Sequence, residues 1–270
     1  MIHTLTDAQW AEFERDGYLM LGKLLDDEKL HALQQRIDDI MLGRARVPYD
    51  HMLMQLDSET GKYLDAGEQS KGFKKATLSY RKIQDLELDP TFLRYMQRPI
   101  FRDLCARVLG LDTDVSVFRA MFMNKPANRG TFLPWHQDRW EMLDRDPLLT
   151  VWTALDPATV ENGCLQVIPG SHRYGVINPS HHSAYLTDQQ TAKFVSPEKV
   201  LYLELQAGEV VLLHNWLMHA SDVNRSSDSR RAFSVCYMDA ATRTRDGDRF
   251  SIVFGIGALN PDQLASQPAA

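Results

Sequence analysis

The sequence predicts a mainly β domain, a sandwich, jelly roll or barrel, with helices packed on it from the N-terminal side. Three observations predict it. Helical spacing of apolar residues is confined to roughly the first 112 positions. Beyond them the apolar runs are short and are cut by the turn signals Glu161-Asn162-Gly163, Pro169-Gly170-Ser171 and Ala207-Gly208-Glu209. A chain of 270 residues, 44% hydrophobic and 24% charged, is also long and apolar enough to bury a large core without disulfides.

The elements follow in order. Thr6 and Gln9 form a capping-box pair, Trp10 and Phe13 share a helical face, and Gly17 stops that helix. Tyr18 to Leu21 reads as a strand. Asp26 caps a second helix with Leu30, Leu33, Ile37, Ile40 and Met41 on one side and Gly43 at its end. Residues 44–80 mix charges with Gly61, Gly67 and Gly72 and read as a loop or lid. A third helix is expected from Phe92 to Leu109, ending at Gly110. Strands are expected at Val115 to Met123, Leu149 to Leu155, Leu165 to Ile168, Val200 to Leu205, Val210 to Leu213 and Ala232 to Asp239. The whole of 1–270 is therefore expected to be one domain: a helical part over about 1–112, a β core over about 113–240 and a C-terminal extension over 241–270.

Charge and cysteine usage narrow the function. Thirty Lys and Arg against 36 Asp and Glu give a net charge of −6, which argues against a nucleic-acid partner. No apolar run reaches the roughly 18–20 residues of a membrane span, and Met1 to Leu5 shows no signal-peptide pattern. Cys105, Cys164 and Cys236 form no CxxC pair and read as reduced thiols, which places the protein in the cytoplasm.

The candidate chemistry centres on Trp135-His136-Gln137-Asp138. In extended chain alternate residues point the same way, so His136 and Asp138 can face one cavity. An imidazole and a carboxylate are two of the three ligands of the two-His, one-carboxylate facial triad that suits Fe(II). Alone, HxD is a weak signal. His214 and His219 both follow the apolar strand Val210 to Leu213, and spacing leaves open which one completes the set. Arg230 and Arg231 open the next strand, where a guanidinium can clamp a carboxylate through two parallel bonds.

Together, His136-x-Asp138, the segment Asn162-Gly163-Cys164-Leu165-x-Val167-Ile168-Pro169-Gly170-Ser171-His172, and His219-Ala220-Ser221-x-x-Asn224 followed by Arg230 resemble the phytanoyl-CoA dioxygenase family. The resemblance runs from about Asp16 to Tyr237. It implies a double-stranded β-helix (a cupin-like jelly roll) and an Fe(II)- and 2-oxoglutarate-dependent oxygenase. It also implies the reaction: hydroxylation of an unactivated C–H with O2, releasing succinate and CO2. His136, Asp138 and His219 match the metal ligands, which selects His219 over His214. Arg230 matches the arginine on the distal carboxylate of 2-oxoglutarate, with Arg231 the fallback, and Ser221 matches a supporting hydroxyl. Lys82, Met121, Gln137 and Trp152 match further cosubstrate contacts. Related halogenases lack the carboxylate ligand, so Asp138 favours hydroxylation. His172 is expected to be structural. His181 and His182, Asn124 to Gly130 and Trp140 to Arg145 are expected near the substrate entrance. The substrate is expected to be a small polar or anionic molecule, with Arg243, Arg245, Arg249, Lys71, Lys74 and Lys75 as candidate anion contacts. The competing readings are a metal-binding jelly-roll scaffold or 2-oxoglutarate sensor, and a zinc hydrolase. The last is disfavoured because no HExxH spacing supplies a general base.

Overall fold

The computed structural model describes residues 4–181 and 184–266. Its first elements follow from local signals. Thr6 and Gln9 cap α1 (Asp7–Asp16) reciprocally, and Gly17 ends it with φ 77°, a left-handed conformation that glycine adopts at no steric cost. Strand β1 (Tyr18–Lys23) follows, and the Asp26 side chain caps α2 (Asp27–Met41), which buries Leu30, Leu33, Ile37, Ile40 and Met41 as its spacing requires.

Two expectations are corrected here. The segment 44–80 is not wholly loop: it contributes β2 (Leu53–Leu56) and β3 (Ser70–Lys71), and β4 (Tyr80–Ile83) closes it. The third helix is two helices, α3 (Pro90–Met96) and α4 (Pro99–Leu109). Pro99 has no N–H to continue α3, and its ring disfavours the helical conformation at the preceding residue. Arg98 accordingly takes φ −65°, ψ 142°, and each helix starts with its proline at the first turn.

The remaining strands are β5 (Val115–Lys125), β6 (Leu133–His136), β7 (Leu149–Ala154), β8 (Leu165–Val167), β9 (Leu201–Leu203), β10 (Glu209–His214), β11 (His219–Ser221), β12 (Arg230–Asp239) and β13 (Ile252–Phe254). The short helix α5 (Asp188–Phe194) precedes β9, and α6 (Pro261–Ser266) ends the described chain. All strand pairings are antiparallel. The large sheet runs β1-β10-β7-β12-β5-β4-β2-β3 with β13 also on β5, and the small sheet runs β6-β11-β8-β9.

Alternation along the large sheet makes three layers. Ala120 and Phe122 of β5, Val210 and Leu212 of β10, and Phe233, Val235 and Tyr237 of β12 join one core with Phe13, α2, α3 and α4. Ala232 of β12 and Val211 and Leu213 of β10 face the other way and pack with Leu165 and Val167 of the small sheet. The helices thus cover one face of the large sheet and the small sheet covers part of the other. What remains between the sheets is the cavity described next. No described helix is long and apolar enough to cross a membrane, and Cys105, Cys164 and Cys236 are free and buried.

Candidate metal centre and active site

Pairing in the small sheet sets two imidazoles side by side. His219 of β11 is opposite His136 of β6 in the register, and their ring centroids are 4.1 Å apart. Each Nδ1 faces a main-chain carbonyl, that of Pro134 at 2.8 Å for His136 and that of Leu217 at 2.9 Å for His219. A carbonyl only accepts, so each Nδ1–H donates and each Nε2 is left with its lone pair. Asp138 lies just beyond β6 rather than within it. Its N–H donates to the Asn215 carbonyl at 2.6 Å, which fixes the chain where the strand ends. Its two carboxylate oxygens lie 3.9 Å from the Nε2 atoms of His136 and His219. The three ligand atoms all fall within 4.8 Å of one another. Burial first, and then the neighbouring His219 imidazole, hold His136 well below the usual histidine range, so it is neutral as a metal ligand must be. Two imidazole nitrogens and one carboxylate on one side of a cavity suit Fe(II) with open positions. His214 stays outside the set. It packs against His172 and accepts the Trp216 N–H on Nδ1 at 3.0 Å.

The cavity holds about 270 Å³ between the sheets, and Lys82, Met121, Trp152, Ser221 and Arg230 line it together with the triad. Arg230 is 3% exposed. It donates from Nη2 to the Gly163 carbonyl at 3.0 Å, stacks over the Trp152 ring at 5.6 Å and leaves Nε buried without a partner. Burial pulls its guanidinium down to about 10. A buried guanidinium with a free donor and no carboxylate is what a carboxylate ligand would complete. The Lys82 side chain makes no hydrogen bond or ion pair among the described residues. Burial, then Arg81 and Arg119, hold it well below the usual lysine range. The donor set and these unpaired cations fit an iron ion and a dicarboxylate.

The Asn-Gly-Cys segment explains how Arg230 is held. Gly163 has φ 79°, and a Cβ there would sit 2.3 Å from the Asp222 carbonyl oxygen. Only glycine lets the two chains approach so closely while offering its own carbonyl to Arg230. Asn162 ties the turn together, accepting from the Thr159 N–H and donating to the Pro157 carbonyl. Ser171 accepts the Met218 N–H at 2.9 Å, one residue before the ligand His219. His172 faces away from the cavity and lies against the Glu14 carbonyl through Nε2, as its structural reading requires.

Three sequence expectations are not met. Gln137 is fully buried outside the cavity. Its amide donates to the Gly175 and Trp216 carbonyls at 2.8 and 2.7 Å and accepts the Ile177 N–H at 2.7 Å, so no group is left for a cosubstrate. The fallback Arg231 points to the opposite face of β12. It pairs there with Asp38 at 2.6 Å and Asp156 at 2.8 Å, beside a larger open groove of about 620 Å³ that contains no metal ligand. The candidate anion contacts Arg243, Arg245, Lys71, Lys74, Lys75 and Arg249 are also absent from the cavity wall. Arg245 pairs with Glu141, and Arg243 is spent on main-chain carbonyls. His182 lies outside the described residues. Sequence reasoning assigns no site role to Arg119, Met123, Tyr63 or Tyr185, although Tyr63 falls in the segment 44–80 read as a lid. The first two had a signal: with Met121 placed in the site, the two-residue period of a strand puts Arg119 and Met123 on the same face. Tyr185 stacks on the His136 ring at 4.8 Å.

Comparison with known proteins agrees with this geometry. Residues 13–232 match the family model described as phytanoyl-CoA dioxygenase (PhyH). The chain belongs to the phytanoyl-CoA dioxygenase family. It is 26% identical over 250 residues to a probable phytanoyl-CoA dioxygenase of Caenorhabditis elegans, covering 86% of this chain and 75% of that one. It is 29% identical over 269 residues to phytanoyl-CoA dioxygenase domain-containing protein 1 of Mus musculus, covering 88% and 91%. Among solved structures it resembles EctD from S. alaskensis with bound Fe, at a TM-score of 0.69 and 23% identity over 89% of this chain and 79% of that one. The non-haem monooxygenase ThoJ gives a TM-score of 0.65 at 22% identity, over 92% and 84%. The two-sheet architecture is accordingly the cupin-like jelly roll of the phytanoyl-CoA dioxygenase family. The enzyme class is that of a non-haem iron oxygenase dependent on 2-oxoglutarate. The cofactors of that class, iron and 2-oxoglutarate, are the two groups that the triad and the unpaired cations fit.

Proposed function

We propose that this protein hydroxylates an unactivated C–H bond of a small polar or anionic molecule, using Fe(II), 2-oxoglutarate and O2 and releasing succinate and CO2. The observation that carries the reading is the His136, Asp138 and His219 triad in one cavity with Arg230, whose buried Nε has no partner. His136, Asp138 and His219 hold the metal. Arg230 and Ser221 receive the distal carboxylate of 2-oxoglutarate, Lys82 adds charge beside them, and Met121 and Trp152 confine the chain between. When bound, iron and cosubstrate supply the oxidising power of the reaction. The protein fixes the lone pairs of both histidines, offers a dry anion clamp and leaves room for one substrate carbon near the metal. Asp138 occupies the position that a halogenase leaves open, which supports hydroxylation. The whole chain acts as one domain, and its free buried thiols suit a reducing compartment such as the cytoplasm.

The test is anaerobic addition of Fe(II) and then 2-oxoglutarate to metal-free protein. The reading expects the visible metal-to-ligand charge-transfer band in wild type. It expects a much higher 2-oxoglutarate requirement in Arg230→Ala and no iron-dependent succinate release in Asp138→Ala or His219→Ala. Folded, iron-loaded wild type with no band would overturn the reading in favour of a metal-binding scaffold or a hydrolase.

A further inference from the structure

We propose that Arg119 binds a carboxylate of the substrate, so that the molecule hydroxylated is a small carboxylic acid held by its acid end. This rests on the oxygenase reading above and names its substrate class.

Strand β5 supplies one wall of the cavity. Arg119, Met121 and Met123 alternate onto the cavity face of that strand. Arg119 pairs with Cys236 of β12, whereas Arg230 begins that strand opposite Lys125. Six residues of β12 separate the two levels, roughly 20 Å of strand at about 3.3 Å per residue. The charges that act on each arginine differ accordingly: Asp138, Cys236, Tyr185 and Tyr63 on Arg119, but Cys164 and Asp156 on Arg230. The two guanidinium groups therefore serve different parts of the cavity, and Arg119 is the one on the Asp138 side.

Arg119 is poised but unspent. Its guanidinium carbon lies 5.0 Å from the Phe118 ring centroid and 4.6 Å from that of Trp140, so two aromatic rings hold it. It makes no hydrogen bond or ion pair among the described residues. Burial pulls it below the usual arginine range. A half-buried guanidinium that lines the cavity with no protein partner for its fork of donors is set to receive an anionic ligand. Charge balance asks for the same thing. Lys82, Arg119 and Arg230 line the cavity against one carboxylate, Asp138. A divalent ion and a doubly negative cosubstrate cancel each other, and Asp138 offsets one of the two guanidinium charges, with any proton on Lys82 adding to the remainder. The surplus is positive, and a substrate carboxylate on Arg119 reduces it. The cavity's 270 Å³, shared with the cosubstrate, restricts the part that enters to a short chain, which Trp140 would cover.

The experiment uses full-length protein loaded anaerobically with Fe(II) and 2-oxoglutarate. It titrates butyrate, hexanoate and octanoate, with hexanamide as the neutral control, and reads the charge-transfer band and calorimetric heat. At least one acid should bind wild type and shift the band, and its amide should bind about ten- to a hundredfold more weakly, the worth of a charge-assisted bond. Arg119→Gln should lose the same factor for the acid, Arg119→Lys should retain part of it, and both should keep the wild-type 2-oxoglutarate titration. Three results overturn the proposal: no acid binds at millimolar concentration, acid and amide bind wild type alike, or Arg119→Gln weakens 2-oxoglutarate as Arg230→Ala does. The wild-type comparison decides even if the variants fold poorly. Absence of the band in wild type would instead sink the oxygenase reading itself.

Discussion

Arg230 and Arg231 are neighbours in sequence and opposites in space, and the contrast makes a prediction. One faces the cavity with an unpaired Nε; the other closes a partly buried network with Asp38 and Asp156. Arg231→Ala should therefore destabilise the fold, by about 1–3 kcal/mol for two stranded carboxylates, and leave the 2-oxoglutarate titration unchanged. Gln137→Ala should behave the same way, because it strands three main-chain groups outside the cavity. Denaturant unfolding beside the charge-transfer titration checks both, and a raised 2-oxoglutarate requirement in either variant would refute the placement. Residues with a short local motif were legible in the sequence: His136 and Asp138 from their spacing, His219 and Arg230 from theirs once the family pattern was recognised. Gln137 was misassigned against the period-two rule that had placed its two neighbours, since the residue between two inward side chains points outward. Arg119 carries no motif of its own inside an apolar strand, although the period that places Met121 places it too; its lack of an ion-pair partner is a property of the fold.

Strands and turns with strong local chemistry were read close to their observed limits, and those defined by their partners were not. The β5, β7, β10 and β12 segments are the longest apolar runs of the β region, so apolar content and the turns between them announce these strands. The strands β6 and β11, only four and three residues long, exist because each completes the other's hydrogen bonds, yet their pairing brings His136 to His219. The break between α3 and α4 was legible in Pro99 and was missed by following the apolar spacing across it. At this scale the Gly163 turn is the sharpest test. An alanine there must hold a positive φ and place its Cβ 2.3 Å from the Asp222 oxygen, so the loop has to move. Gly163→Ala should cost about 1–3 kcal/mol of stability. It should also raise the 2-oxoglutarate requirement, because the same residue's carbonyl accepts from Arg230. Loss of stability with unchanged cosubstrate binding would show that the turn does not position Arg230.

The fold buries titratable groups whose effects on stability oppose one another. His214, between the helices and the sheet, is pulled down to about 4, chiefly by burial. An unfolded chain takes up that proton near 6.5 and the native one does not, so this group costs stability as pH falls from about 6.5 towards 4. Glu87 does the reverse. It lies in the short turn between β4 and α3, is 8% exposed, accepts from the Ser251 hydroxyl at 3.3 Å and has its other oxygen buried without a partner. Burial first, offset only in part by hydrogen bonds, raises it to about 7. Between about 4.5 and 7 the native protein keeps a proton that the unfolded chain has released, so stability falls as pH rises through that window and levels off above it. A difference of that size corresponds to roughly 3 kcal/mol at most. Glu87→Gln keeps the shape and removes the titration. Its unfolding free energy, measured in denaturant, should lie near wild type at pH 4.5 and exceed it at pH 8. Because His214 titrates alike in both proteins, the difference between the two curves isolates Glu87. Parallel curves from pH 4.5 to 8 would mean that Glu87 ionises in the folded protein without cost, and that its carboxylate is solvated from a direction the packing does not show.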